Sequence, residues 1–110
     1  MNIEQLWEYC KAKPGAEETF PFGPDTLVFK VNGKIFFLVP LEKQPLQFNV
    51  KCDPEKAIDL REKFACVQPG YHMNKKLWNT VIVDSSIPGH QLQEFIDDSY
   101  RLVSKKSKSL

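Results

Sequence analysis

The chain has 110 residues, of which 42% are hydrophobic, and a formal net charge of +1 at pH 7. This length suits one domain with a single core, and the composition excludes a disordered or collagen-like chain. The near-neutral charge excludes strong long-range attraction to a polyanion.

The first predicted element is an amphipathic helix over about residues 2–12. Asn2, followed three positions later by Gln5, matches a capping box, and apolar residues recur after it at helical spacing. This acidic start lacks the basic and then apolar pattern of a signal peptide, and no apolar run reaches the eighteen residues that a membrane span needs. We therefore expect a cytoplasmic protein without membrane contact.

A β-hairpin is predicted next, after the segment ETFPFGPD at residues 18–25. The prolines and glycine of that segment predict an extended loop, whose phenylalanines we expect to be packed. TLVFKV and KIFFLV then flank Asn32-Gly33, a dipeptide typical of a type I′ turn. A third strand, LQFNVK, alternates apolar and polar residues, as a sheet with one wet face requires.

The second half of the chain predicts two helices and two strands. Asp53-Pro54 indicates a helix start with a capping side chain, and the helix extends to about residue 64. A possible short strand precedes the turn at Pro69-Gly70, and the apolar run LWNTVIV predicts another strand. Pro88 opens the last helix, and residues 105–110 are expected to form a frayed basic tail.

Taken together, the elements follow the order α-β-β-β-α-β-β-α. We expect one domain over residues 1–110, of the α+β class, with two layers: an antiparallel five-stranded sheet and helices on one of its faces. No repeat or long linker divides the chain.

The residues with catalytic or metal-binding chemistry predict no site. Cys10, Cys52 and Cys66 have unrelated spacings and are interpreted as reduced, mostly buried thiols. His72 and His90 have no second ligand at metal-binding spacing. We expect no catalytic residue, no metal and no cofactor.

The segment from Gly70 to Asn79 concentrates residue types that recognise nucleic acids. Lysines contact phosphates, aromatic rings stack on bases, and amides reach base edges. The alternative interpretation is structural: Met73 and Trp78 fill the core while the asparagines satisfy turn backbone. The candidate nucleic-acid-binding residues are Tyr71, His72, Asn74, Lys75, Lys76 and Asn79.

Four stretches resemble the MmcQ/YjbR-like family: ETFPFGPDTLVFKVNGKIF, NVKCDPE, PGYHMNKKLWNTV and SYRLV. The resemblance covers nearly the whole chain and implies a fold similar to the secretion-chaperone-like α/β sandwich, with DNA binding through a double-wing arrangement. It implies no catalytic residue. Leu77 departs from the more polar residue of many relatives. The matching motif positions include Pro21, Phe22, Gly23, Lys51, Asp53, Pro54, Pro69 through Lys76, Trp78 and Asn79.

Three functional hypotheses follow. The first is a non-enzymatic DNA-binding module acting through the Gly70–Asn79 segment. The second is a protein- or peptide-interaction module, as the chaperone-like fold suggests, with Phe20, Phe22 and Trp78 as apolar anchors. The third is an enzyme with a deep pocket around His72. A positive stripe through Lys75 and Lys76 would favour the first, and an exposed apolar patch the second.

Overall fold

The structure is a computed structural model that describes residues 1–70 and 73–105. The described residues form three helices and six strands. In chain order they are α1 Ile3–Lys11, β1 Glu17–Thr19, β2 Thr26–Val31, β3 Lys34–Pro40, β4 Gln47–Lys51, α2 Pro54–Lys63, β5 Val67–Pro69, β6 Trp78–Ile82 and α3 Gly89–Ser104.

The strands form one antiparallel sheet in the order β1-β2-β3-β4-β6-β5. All three helices contribute to one core with alternate residues of the sheet, such as Phe37, Phe48 and Val81. The predicted α+β class and one-sided helix layer are therefore confirmed. The predicted number of five strands is wrong, because β1 adds a sixth.

The additional strand lies where a packed loop was predicted. Glu17–Thr19 pairs with β2 at the edge of the sheet, where charged side chains face water without penalty. The two phenylalanines that follow are not packed as expected: Phe20 is 44% exposed and Phe22 is 62% exposed. This connection therefore presents apolar rings to solvent.

The hairpin between β2 and β3 confirms its turn prediction. Asn32 and Gly33 have φ angles of 53° and 77°, the left-handed values that both central residues of a type I′ turn require. The alternation predicted for β4 is also confirmed, since Phe48 and Val50 are buried and their neighbours are less so.

The start of α2 differs from its prediction in one respect. The helix begins at Pro54, and Asp53 occupies the N-cap position, but the Asp53 side chain makes no capping hydrogen bond. Pro54 has no N–H group, so the first turn has one donor fewer to satisfy.

A β-bulge in β3 breaks the alternation of the central hairpin. Phe29 pairs with Phe37 and Lys30 pairs with Ile35, so Phe36 is an extra residue on β3. The bulge turns both Phe36 and Phe37 into the core, where each ring centroid lies about 6 Å from that of Phe29. Three aromatic rings thereby fill the centre of the domain.

The hydroxyl of Ser99, on α3, bridges β3 and β4 beside this bulge. Its Oγ donates a hydrogen bond to the Phe36 carbonyl oxygen at 2.6 Å and accepts one from the Lys51 amide at 2.8 Å. The recorded β3–β4 pairs are Phe37 with Val50 and Leu38 with Asn49. Phe36 and Lys51 would be the next pair, so the hydroxyl replaces a direct ladder bond and anchors α3 to the sheet.

We expect Ser99→Ala to lower the free energy of unfolding by about 1–3 kcal/mol, because it leaves a buried carbonyl and an amide without their partner. Urea denaturation measures the loss. Ser104→Ala on the same helix is the control, since the Ser104 hydroxyl makes only a 3.5 Å contact with Arg101. Equal stability of the two variants would contradict the bridging role of Ser99.

A second polar contact ties α1 and its C-terminal extension to α3. Tyr9 donates a hydrogen bond from its hydroxyl to Asp97 at 2.6 Å, and the Lys13 ammonium also contacts the Asp97 carboxylate. Burial alone would raise the pKa of Asp97, but the hydrogen bonds from Lys13 and Tyr9 outweigh it and hold the pKa below its ordinary value. The carboxylate is therefore bound in its ionised form.

This lowered pKa predicts an acid-dependent contribution to stability. The contribution is fully present above the unfolded-state pKa of about 3.9 and is lost as the pH falls through the lower folded-state value. We expect Asp97→Asn to destabilise the protein at neutral pH and to cost less near pH 3, as measured by denaturation at both pH values. Asp59→Asn, an exposed change on α2, is the control. A pH-independent cost of Asp97→Asn would contradict the assignment.

Candidate binding groove

A groove crosses the face of the sheet opposite to the helices. Its cavity volume is about 590 Å³, within the range of ligand-binding clefts. Its lining comes from β2, β3, β4, β5 and β6 and from three connecting segments. We call it the sheet groove; it is lined by Phe22, Thr26, Leu38, Pro40, Lys43, Gln47, Asn49, Gln68, Met73 and Thr80.

The floor of the sheet groove follows from strand register. Leu38 pairs with Asn49, Asn49 with Thr80, and Thr80 with Gln68, so four side chains form one row across β3, β4, β6 and β5. Neighbouring residues of each strand point to the other face, into the core. The Thr80 hydroxyl donates to the Asn49 side-chain oxygen at 2.6 Å, so the Asn49 amide keeps its two N–H donors.

The walls of the sheet groove come from connecting segments. Phe22 comes from the connection between β1 and β2, Lys43 from that between β3 and β4, and Met73 from that between β5 and β6. The lining from β3 and from the connection before β2 is apolar, with Leu38, Pro40 and Phe22. The half over β4, β6 and β5 is lined mainly by amide and hydroxyl groups.

The described members of the predicted nucleic-acid-binding set do not all lie on the surface. Asn79 is 1% exposed, so the prediction that it addresses base edges is wrong. Trp78 is only 9% exposed and lies against Gly70, where an added Cβ would come within 2.9 Å of the Trp78 Cβ. Tyr71 and His72 lie outside the described residues, and Lys106 and Lys108 of the predicted basic tail do so too.

Asn79 is buried because it binds α2 to the segment before β6. The Arg61 Nε donates to the Asn79 side-chain oxygen at 2.6 Å, and the Asn79 amide nitrogen donates to the Ala57 carbonyl at 3.4 Å. The same guanidinium also donates to the carbonyls of Trp78 and Lys75. Arg61 therefore holds the segment that follows Met73 against α2.

The remaining members of the predicted surface are exposed. Asn74 accepts a hydrogen bond from the Lys76 amide at 2.9 Å, which is a turn-forming role for its side chain. Lys75 and Lys76 are both exposed and follow the groove residue Met73 by two and three positions. Among the described members of the predicted set, Asn74, Lys75 and Lys76 are therefore the exposed ones.

Other candidate chemistry is sparse. Cys10, Cys52 and Cys66 are free and buried, as predicted, and burial raises the pKa of the Cys10 and Cys52 thiols. Among residues 1–70 and 73–105, no group of three or more His, Cys, Asp or Glu residues is placed to hold a metal ion. Nor does any helix in these ranges have the length and apolar character to cross a membrane.

Sequence reasoning missed most of the groove. The polar face of β4, with Gln47 and Asn49, was visible as alternation in LQFNVK. Thr80 and Gln68 joined that face only because β6 lies between β4 and β5, and no local signal in the sequence gives this strand order. Lys43 and Met73 carry no pattern of their own.

We expect Asn79→Ala to lower the free energy of unfolding by about 1–3 kcal/mol, because it removes the acceptor of the Arg61 Nε and a second hydrogen bond to the Ala57 carbonyl. Lys76→Ala, a change at the exposed end of the same segment, should cost less than about 0.5 kcal/mol. Thermal melts of both variants check this. A melting temperature unchanged by Asn79→Ala would show that the tie to α2 is dispensable.

Comparison with known proteins gives two similar relatives in Escherichia coli. Uncharacterized protein YbdF of the O157:H7 strain is 40% identical over 107 residues, with 94% of this chain and 88% of YbdF covered. Uncharacterized protein YjbR of strain K12 is 36% identical over 101 residues, covering 92% of this chain and 86% of YjbR.

Solved structures share the fold. Protein DR2400 of Deinococcus radiodurans, described as a DUF419 domain, superposes with a TM-score of 0.90 at 38% identity, covering 98% of this chain and 83% of its own. A Pseudomonas syringae protein gives a TM-score of 0.80 at 30% identity, covering 94% and 99%. The YjbR family model matches residues 11–102. The resemblance noted in the sequence is thus confirmed, and the chain belongs to the YjbR family.

Proposed function

We propose that this chain is a non-enzymatic binding module whose sheet groove receives an extended segment of a protein partner. The observation that carries the proposal is the lining: five neighbouring strands each contribute at least one residue to a single groove. A site of this shape suits an elongated ligand that lies across the strands.

The dimensions of the groove favour a peptide over a compact small molecule. Five adjacent strands have four spacings of about 4.8 Å, or about 19 Å in total, which an extended peptide of about six residues spans. An apolar side chain of that peptide would pack beneath Phe22, against Leu38 and Pro40. Its backbone would meet the amides of Asn49 and Gln68, which supply both donors and acceptors.

The exposure of Phe22 supports the same interpretation. A phenylalanine that is 62% exposed and lies over a groove leaves apolar surface that a partner can bury. Burial of such a ring typically supplies a large share of binding free energy. Neighbouring Phe20 is also exposed, but it lines a different depression, beside Trp7 of α1.

The charge distribution of the protein gives less support to the hypothesis of nucleic-acid binding. The described residues include 13 basic side chains, which is 15 minus Lys106 and Lys108, and 14 acidic ones, so their formal sum is −1. Nucleic-acid affinity depends mainly on phosphate neutralisation by clustered cations. DNA binding, as the family resemblance implies, stays a prediction that rests on exposed Lys75 and Lys76.

The groove lining supports a non-enzymatic role. Its described members are apolar, amide, hydroxyl and one ammonium group. General acid–base or nucleophilic catalysis usually employs a carboxylate, imidazole or thiol within reach of the substrate. The described lining offers hydrogen bonds and apolar contact instead.

Selection from a displayed library of random twelve-residue peptides tests the proposal. We expect enriched peptides to bind the wild-type protein. Their affinity for the Phe22→Ala variant should be about five- to thirty-fold lower, because the ring is an apolar anchor. Ile58→Ala is the matched control, since Ile58 is 54% exposed but lies on α2, away from the groove. Both variants should keep the wild-type melting temperature.

The same protein is titrated with labelled duplex and single-stranded DNA at low salt. Absence of any enriched peptide would overturn the proposal. Salt-sensitive DNA binding that disappears in the double variant Lys75→Ala/Lys76→Ala would favour the nucleic-acid hypothesis instead.

A further inference from the structure

We infer that the sheet groove selects partner segments in which a carboxylate lies near a large apolar side chain, and that Lys43 recognises the carboxylate. The inference rests on the proposed function and specifies the chemistry of its ligand. It depends on the charges around the groove, because the apolar and amide lining by itself does not discriminate between acidic and basic peptides.

Lys43 is the one charged side chain among the described residues that line the groove. It is exposed in the connection between β3 and β4, and it forms no ion pair with the described part of the chain. Its ammonium is therefore available to a ligand. Structural ion pairs of this protein use other lysines, such as Lys13 and Lys56.

The charges that flank the groove in sequence have both signs, since Asp25 precedes Thr26 and Glu42 precedes Lys43, but no acid is among the described lining residues. Strand alternation places Lys51 on the face of β4 that carries Asn49, and Lys75 and Lys76 follow the groove residue Met73. Glu42, next to Lys43, is an exposed acid that does not line the groove. At Lys43, a basic side chain of a ligand would therefore meet repulsion and an acidic one attraction.

The geometry also indicates where the acid lies along the ligand. Lys43 lies in the connection between β3 and β4, which Pro40 and Gln47 border, and all three residues line the groove together with Phe22. A ligand whose apolar side chain lies under Phe22 would thus present a nearby side chain or a terminal carboxylate to Lys43. Hydrogen bonds to the row of Asn49, Thr80 and Gln68 would fix the rest of the segment.

The test compares library selection on the wild-type protein and on Lys43→Glu. We expect acidic residues to be enriched beside an apolar residue with the wild type, and basic residues to replace them with the variant. Lys34→Glu is the matched control: it makes the same change in net charge on the β2–β3 hairpin, outside the groove. Its selected peptides should resemble those of the wild type.

A synthetic pair then measures the effect directly. An enriched peptide and its copy with Asp or Glu replaced by Asn or Gln should differ in affinity by about two- to five-fold for the wild type, as expected for a solvent-accessible ion pair. The difference should vanish in Lys43→Ala and shrink when the salt concentration rises from about 50 mM to about 500 mM.

Two results would overturn the inference while leaving the proposed function intact. One is equal binding of the acidic and amide peptides by the wild type, with Phe22→Ala still weakening both. The other is an equal loss of affinity for the acidic peptide in the Lys34→Glu and Lys43→Glu variants, which would show that only the net charge of the protein matters. Failure to enrich any peptide would overturn both.

Discussion

The Ser99 hydroxyl joins β3 and β4 where the recorded pairing between these two strands ends. At the bulge in β3 the direct bonding between β3 and β4 stops, and a side chain from the helix layer completes it. The hydroxyl takes the place of a ladder bond and links α3 to the sheet by hydrogen bonds as well as by apolar packing. The direction of α3 across the sheet is thus set by hydrogen-bond geometry as well as by side-chain volume.

The bulge also explains how the two faces of the sheet become so different. By turning Phe36 and Phe37 to the same side, it adds an aromatic ring to the core and takes one from the opposite face. All three helices then cover the aromatic face. The other face keeps Leu38, Asn49 and Thr80, which are too polar for a second core and too apolar for a simple wet surface. Ligand pockets commonly combine apolar side chains with a few polar groups, as this face does.

The sequence predicted those features that depend on neighbouring residues. Asn32-Gly33 specified the hairpin, and the alternation around Phe48 specified the orientation of β4, because both signals are local. The bulge could not be predicted, since a strand ordinarily sends Phe36 and Phe37 to opposite faces. Nor could the burial of Asn79, which depends on Arg61, 18 positions earlier on another element. Glu17–Thr19 is too short and too charged to be recognised as a strand without its partner β2.

The short length and the composition of the two edge strands of the sheet affect self-association. β1 and β5 are three residues long; the first carries Glu17 and Glu18, and the second ends at Pro69, which lacks an N–H group. Short borders with like charges or proline give a second sheet little to pair with, and they oppose the stacking of strands that leads to fibrils. Copies of the chain therefore find little at these margins along which to polymerise.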